Sequence, residues 1–306
     1  MSEAFDVICC GNSAFDHIWY VDELPAGDGK FRGHEYVERI GGLAANAAIA
    51  VSRLGGRVTL WSRAGEDETG RKMLDQLAAR GVDATHFRLI TGARSPHSAV
   101  IVDRHGARTI VSFRGGGWSE TPNWLPLEQV RGARAVHSDT RWRNAAVAMF
   151  TVAREAGVPS VLDIERSERP VLERLLPLTD YAIFSLPGFR DFAQTDDLAL
   201  GLQRAADAGA TVPAVTLGGD GVAWLEAGQV RCIGGYKVAA IDTTGAGDVF
   251  HGAFALVIGQ GMAIEAAMRF ASAAAALKCT RVGGGAGTPA RVEVEEFLAA
   301  QGAAAR

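Results

Sequence analysis

Asp242-Thr243-Thr244-Gly245-Ala246-Gly247-Asp248 decides how the rest of this chain is read. Before it, Lys237-Val238-Ala239-Ala240-Ile241 has the composition of a strand. After it, the apolar run from Val249 to Ile258 predicts a buried helix. Glycines at a helix start let the backbone come close to a ligand. The unpaired first-turn N–H groups and the helix dipole then favour an anion. Asp248 falls in that first turn, where a carboxylate repels an anion unless it has a second task. Taking a proton from a hydroxyl that attacks phosphorus is such a task. The same residues also fit a plainer account, a glycine turn with an aspartate that complements the helix dipole.

Two stretches nearer the N-terminus extend the pattern. Phe5–Cys10 reads as a buried strand ended by Gly11-Asn12-Ser13, and Asp16 follows it. In a doubly wound sheet, ligands gather beyond the carboxyl ends of the strands, which places Asp16 to bond hydroxyls. A surface turn is the alternative. Gly41-Gly42 precedes a helix with apolar positions Leu43, Ala47, Ala50, Val51 and Leu54. Asn46, one turn in, can both donate to and accept from a hydroxyl. An ordinary hinge with a solvated asparagine is the alternative.

From residue 57 onward, strand and helix patterns alternate: strands at Val58–Ser62, Ala133–Ser138, Val158–Asp163, Tyr181–Ser185 and Thr211–Leu217, with helices ended by Gly81, Gly157 and Gly209. That alternation predicts an α/β fold, a doubly wound and mainly parallel sheet with helices on both faces. Phe15–Val21, Gly33–Ile40, Ser98–Asp103 and Ala107–Phe113 alternate imperfectly instead, the last pair around a turn at Arg104-His105-Gly106. They predict a small antiparallel sheet inserted at about residues 15–40 and 97–114 of one domain spanning 1–306.

Asp242–Asp248, together with Gly41-Gly42-Leu43-Ala44-Ala45-Asn46 and its continuation to Gly55-Gly56, resembles the two signatures of the PfkB (ribokinase-like) carbohydrate kinases. The resemblance covers nearly the whole chain. It implies transfer of the γ-phosphoryl of ATP, with Mg²⁺, to a sugar hydroxyl. Asp248 is then the base, and the amides of Gly245, Ala246 and Gly247 hold the transferring group. Asp16, Gly41, Gly42 and Asn46 hold the sugar. Thr216, Gly218 and Gly221 lie near the ATP phosphates, and Cys279 and Gly283, around the glycine loop Val282–Pro289, near the adenine end; a hairpin turn into Val222–Leu225 and a plain glycine-rich connector are the alternatives. Asp242 and Thr244 hold a monovalent cation such as K⁺. The small sheet becomes a lid, and often a homodimer surface. One departure stands out: many relatives carry Asn-x-x-Glu near Mg²⁺, where this chain has Ser185-Leu186-Pro187-Gly188.

Within the family, Asp139-Thr140-Arg141-Trp142, Phe184–Gly188, Asp248–Gly252 and Leu277–Arg281 look closest to sulfofructose kinases and their ketohexose-kinase neighbours. Arg141, beyond a strand end, and Lys30, on the lid loop, are then two cations for an anionic ketose such as 6-deoxy-6-sulfofructose. Ser112 stands where that relative carries an asparagine. The rivals are a neutral fructokinase or ketohexokinase, a ribokinase or nucleoside kinase, and a non-catalytic sugar or nucleotide sensor.

Net charge is −4, from 35 acidic and 31 basic residues with no basic block, which argues against nucleic acid. No apolar run reaches the roughly 18 residues of a membrane span. There is no Gly-x-x-x-x-Gly-Lys-Ser/Thr loop and no dinucleotide fingerprint after the first strand. The acidic start Met1–Asp6 is unlike a signal peptide. Cys9, Cys10, Cys232 and Cys279 lack metal or redox spacing and read as reduced thiols of a cytoplasmic protein.

Overall fold

In the computed structural model, which describes residues 4–105 and 107–304, the chain builds two separate sheets. Met1–Glu3 and Gly106 of the expected turn lie outside the described residues. In chain order the first half holds β1 (Val7–Cys10), β2 (Ala14–Tyr20), β3 (Glu35–Gly41), α1 (Leu43–Arg53), β4 (Val58–Gly65), α2 (Glu68–Ala78), β5 (Phe87–Ile90), β6 (His97–Val102), β7 (Arg108–Phe113), β8 (Ala135–Asp139) and α3 (Arg143–Ala156). The second half holds β9 (Ser160–Ile164), α4 (Arg169–Leu175), β10 (Tyr181–Ser185), α5 (Leu186–Ala193), α6 (Leu198–Asp207), β11 (Val212–Thr216), β12 (Val222–Glu226), β13 (Gln229–Ile233), α7 (Ala246–Gly259), α8 (Ile264–Cys279) and α9 (Arg291–Ala304).

Among the described residues, the larger sheet has nine strands in the order β13-β12-β11-β10-β9-β8-β1-β4-β5. It is parallel from β11 to β5, and β12 and β13 close one edge antiparallel. Strand β1 shows why both faces are covered. Val7 and Cys9 enter the apolar layer shared with α1, α2, α7 and α8, while Ile8 and Cys10 enter the layer shared with α3, α4, α5 and α6. A strand buried on both faces has no polar side, so it reads as an unbroken apolar run. The chain leaves β1 toward β4 and β5 and returns on its other side at β8, so the crevice beyond β1 and β8 is the switch point where ligands collect.

The smaller sheet runs β3-β2-β6-β7. Its outer pairs are antiparallel as expected, but β2 and β6 run parallel. The reason is topological: β2 follows β1 and β6 follows β5, and those two core strands point the same way. Lys237–Ile241 forms no strand. Strand β13 already holds the sheet edge, and the segment is tied down elsewhere, with the amides of Ile241 and Asp242 donating to the Cys279 carbonyl at 2.7 and 3.1 Å. No described helix is long and apolar enough to cross a membrane.

Candidate active site

Gly245 caps α7 in the left-handed region, at φ +74°, and a Cβ there would sit 3.0 Å from the Gly284 Cα. Any side chain would be strained and would push the glycine loop away. Gly247 differs. Its backbone is ordinary helix, and a Cβ would meet nothing within 4 Å. Nothing in the packing of the chain requires glycine there, so the open space suits a ligand brought against the first-turn amides.

Asp248 follows, buried, its Oδ2 accepting from Asn46 Nδ2 at 2.7 Å. Asn46 Oδ1 in turn accepts from the Gly285 amide at 3.1 Å. One side chain therefore ties α1, α7 and the glycine loop together. The glycine pair before α1 brings the backbones into contact: a Cβ on Gly42, at φ +95°, would lie 2.6 Å from the Ser13 Cα, and one on Gly41 would lie 2.1 Å from Asp16 Oδ2. Asp16 and Asp248 thus flank the same glycine–Asn46 turn.

Burial pushes the Asp248 carboxyl well above the usual carboxylate range; Asp163 and Glu165 push the same way, against the Asn46 bond and His251. Asp163, at the end of β9, is raised by burial and by Glu165 and Asp139. His251 lies one helical turn beyond Gly247, buried, its Nδ1 2.8 Å from the Gly247 carbonyl and 3.4 Å from Asp163 Oδ2. It is a packed helix histidine, and burial holds its pKa down. The Ala246 amide donates to the Thr243 carbonyl at 3.3 Å, and the Gly247 amide has no carbonyl partner among the described residues; a buried carboxylate of raised basicity beside such an amide is chemically suited to remove a proton from a hydroxyl.

Asp16 and Ser112 share one register row across the lid, Arg39–Asp16–Ser98–Ser112. Burial raises the Asp16 carboxyl, against the Ser98 hydroxyl and the charges of Arg39 and His17. Beside that row opens a cavity of about 790 Å³, lined among others by Ser98, Ser112 and Arg141; Asp16, Asn46, Gly247 and Asp248 do not line it, and it adjoins them through Asn12, Ser13 and Ala14, which pack against Gly42. Arg141 is not a free cation: its Nη2 donates to Glu165 Oε2 at 3.0 Å. Lys30 stays on the exposed loop between β2 and β3 and does not line the cavity. The structure brings Asp16, Asn46, Asp248 and the two glycine pairs together and leaves Lys30 apart.

Thr216 ends β11, and Gly218–Asp220 form the turn of a hairpin into β12. Gly221, at φ +107°, is required by close approach, since a Cβ would lie 2.0 Å from the Ile233 carbonyl. Gly283 donates to Asp242 Oδ2 at 3.0 Å, and Cys279 ends α8 half-buried. The Asp242 carboxylate also takes the Thr244 amide at 2.8 Å. The Thr244 hydroxyl accepts from Arg108 of the lid at 3.3 Å.

Sequence reasoning missed Asp139, Asp163, Glu165 and Lys278. The two aspartates end or nearly end neighbouring strands at the ligand edge, a signal that strand order alone turns into proximity. Lys278 continues a buried stripe, Ala267, Ala271 and Ala274, at helical spacing, so its burial was legible. The missing glutamate has a backbone cause. A Cβ on Gly188 would sit 2.2 Å from the Glu165 carbonyl, so no side chain fits at the position expected to carry it.

A sheet wound on both faces, a lid over its switch point and a buried carboxylate at a glycine-opened helix together define a sugar-kinase architecture. The profile of the pfkB family carbohydrate kinases matches residues 4–291, and the chain belongs to that family. It is 29% identical to the ribokinase of Bacillus subtilis over 96% of this chain and 99% of that protein. It is similar to an Agrobacterium tumefaciens protein of known structure provisionally named a ribokinase, at 37% identity and TM-score 0.93, covering 97% of this chain and 98% of the other. The Arabidopsis thaliana ribokinase complexed with ribose and ATP superposes with TM-score 0.84 at 25% identity, over 96% and 99%. The protein is an ATP-dependent carbohydrate kinase.

Proposed function

We propose that this kinase phosphorylates a primary hydroxyl of a ketohexose-like sugar bearing a distal anionic group, with 6-deoxy-6-sulfofructose as the first candidate. The carrying observation is the charge of the cavity wall: Arg63, Arg114, Arg141, Arg143 and Arg166 against Glu120, Glu168 and Asp191. Guanidinium forks suit a sulfonate or phosphate because they bond two oxygens at once. Arg63 is engaged with Glu120 at 2.8 Å, Arg141 with Glu165 at 3.0 Å and Arg166 with Asp191 at 3.4 Å, which leaves Arg114 and Arg143 outside any ion pair among the described residues.

In this reading Asp248 takes the hydroxyl proton, and the amides of Gly245, Ala246 and Gly247 face the transferring group. Thr216, Gly218, Gly221, Cys279 and Gly283 border the nucleotide. Asp16, Gly41, Gly42, Asn46 and Ser112 orient the sugar, which makes the attack effectively intramolecular. ATP brings Mg²⁺, which neutralises phosphate charge when bound. The residues present fit a metal held mainly by phosphates and water, because Asp163 and Glu165 lie close enough to Asp248 to raise its pKa and can complete such a shell. Glu165 and Asp163 are the carboxylates that would face it. The uncovered outer face of the lid, with Trp19, Tyr36 and Val111 exposed, supports pairing with a second copy. Free thiols and the need for ATP support a cytoplasmic setting.

One observation favours a neutral ketose instead: Arg141 is paired with Glu165, and an anion has to open that pair. The test compares kcat/KM for 6-deoxy-6-sulfofructose, fructose 6-phosphate, fructose and ribose in wild type and Arg141→Ala. The mutant is expected to lose about 1.5–3 kcal/mol on the anionic acceptor, the scale of a charged hydrogen bond, with far less change on fructose. Equal losses on both, or a wild type that prefers a neutral sugar, overturn the reading.

A further inference from the structure

Lys278 is fully buried near the end of α8. Its Nζ donates to the Asp242 carbonyl at 2.7 Å and lies 3.5 Å from Asp242 Oδ2. Its Cε packs 3.3 Å from where a Cβ on Gly287 would be, a point that also lies 3.4 Å from the Val282 carbonyl and 3.5 Å from the Arg281 carbonyl. The ammonium therefore sits against Asp242, a residue expected to hold a monovalent cation, with its stem packed beside the glycine loop at Gly287. Asp242 and Thr244 do not fit such an ion here. The Asp242 carbonyl takes Lys278, its carboxylate takes the amides of Thr244 and Gly283 with Oδ2 3.5 Å from the ammonium, and the Thr244 hydroxyl takes Arg108. A second monovalent charge beside a buried ammonium would be repelled, with little water to screen it.

We propose that the Lys278 ammonium is a built-in substitute for the monovalent cation, so that this kinase works without potassium. An ammonium and a potassium ion carry the same charge and are close in size, so one can brace the same carbonyls. The bracing reaches the reacting groups through contacts already described. Lys278 pins Asp242, Asp242 holds the amides of Thr244 and Gly283, and the loop continues through Gly285 to Asn46, which bonds Asp248. Lys278 is thus a positioning residue. Burial, helped by Arg39, holds the lysine's pKa below its ordinary value in spite of Asp242, Cys279 and the Asp242 bond, so the charge rests on the contact with Asp242. Burial raises Asp242, but the two amides and Lys278 outweigh it and hold the carboxyl below its ordinary value.

The experiment measures ADP release and melting temperature in potassium chloride and in choline chloride of equal ionic strength. ADP release uses the best acceptor from the panel above, so that arm rests on finding one. The melting arm needs no acceptor and stands if the acceptor assignment fails. Wild type is expected to differ by less than about two-fold in rate and not at all in melting temperature between the two salts. Lys278→Ala is expected to lose at least about ten-fold in choline, the scale of a lost charged hydrogen bond. Potassium is expected to return much of its rate and to raise its melting temperature. Lys278→Met, which fills the space without a charge, is expected to be as slow and to gain nothing from potassium. A wild type that needs potassium overturns the proposal even if neither variant folds. So does a fast Lys278→Met, or a Lys278→Ala that potassium leaves unrescued.

Discussion

The two walls of the site are built in opposite ways. The wall around α7 is buried and made of backbone: Gly245, Gly42 and Gly41 let three segments touch, and a single asparagine links them to Asp248. The wall under the lid is exposed and made of side chains, with every residue of β7 open to solvent and arginines arriving from separate loops. Burial makes the first wall costly, because carboxylates are held where their charged forms are disfavoured. The second wall carries less of that cost, its buried exception being Arg63, whose charge burial also disfavours. Phosphoryl transfer needs the same geometry whatever the sugar, whereas recognition changes with each acceptor, so the division follows the chemistry.

The largest expected effect tests the buried wall. Asp248→Asn is nearly isosteric but cannot take a proton, and kcat should fall by roughly 10²–10⁴. Stability should move the other way. The raised Asp248 pKa contributes stability that is fully present below the ordinary carboxylate pKa and is lost as pH rises through the folded value. At a pH above that folded value the amide removes an unfavourable buried charge, so there the variant should melt no lower than wild type. In wild type, kcat/KM should fall with acid at a pH above the usual carboxylate range, since the base is lost as pH drops through its raised pKa. A near-normal kcat in the folded variant, or an acid limb near pH 4, would contradict the assignment.

Gly247→Val comes next. No protein atom would meet its Cβ, so the fold should survive with a melting temperature close to wild type. The added methyls project into the open space above the first-turn amides. Removing or blocking one such donor costs about 10²–10³ in kcat elsewhere, and a loss on that scale is expected here. The parallel change at Gly245 should instead destabilise, because φ there is +74° and Gly284 is in the way. If both variants behave alike, the distinction between ligand space and packing space is wrong.

This contrast also explains what could be read from the chain beforehand. The α7 wall was legible because glycine pairs and an aspartate at fixed spacing have few uses, and because apolar runs reveal a sheet covered on both faces. Asp139 and Asp163 were not, since their proximity depends on β8 lying between β1 and β9. Lys237–Ile241 has strand composition but no free sheet edge to join. Lys30 and Arg141 looked like partners because both flank glycine-rich or strand-end positions. Where a long side chain on an exposed loop ends up is set by its neighbours, and here Glu165 takes Arg141.

The smallest effect on turnover is expected on the outer face of the lid. Val111, 68% exposed, lies in β7 opposite Ala99, on the face that also carries Trp19 and Tyr36, whose rings approach to 5.1 Å. The site-facing row Asp16–Ser98–Ser112 has the opposite parity, because successive residues of a strand point to opposite faces. An apolar outer face on a short sheet invites a second copy. Val111→Asp puts a charge into that face without touching the row that meets the sugar. Light scattering or sedimentation should show wild type as a dimer and the variant as a monomer at low micromolar concentration. Turnover with saturating sugar should change by no more than about a few-fold, since burial and backbone, not association, hold the α7 wall. A collapse of kcat on dissociation would mean that the exposed wall helps to hold the buried one, and the separation of the two would have to be abandoned. A wild type that is already monomeric would show that the outer face serves some purpose other than pairing.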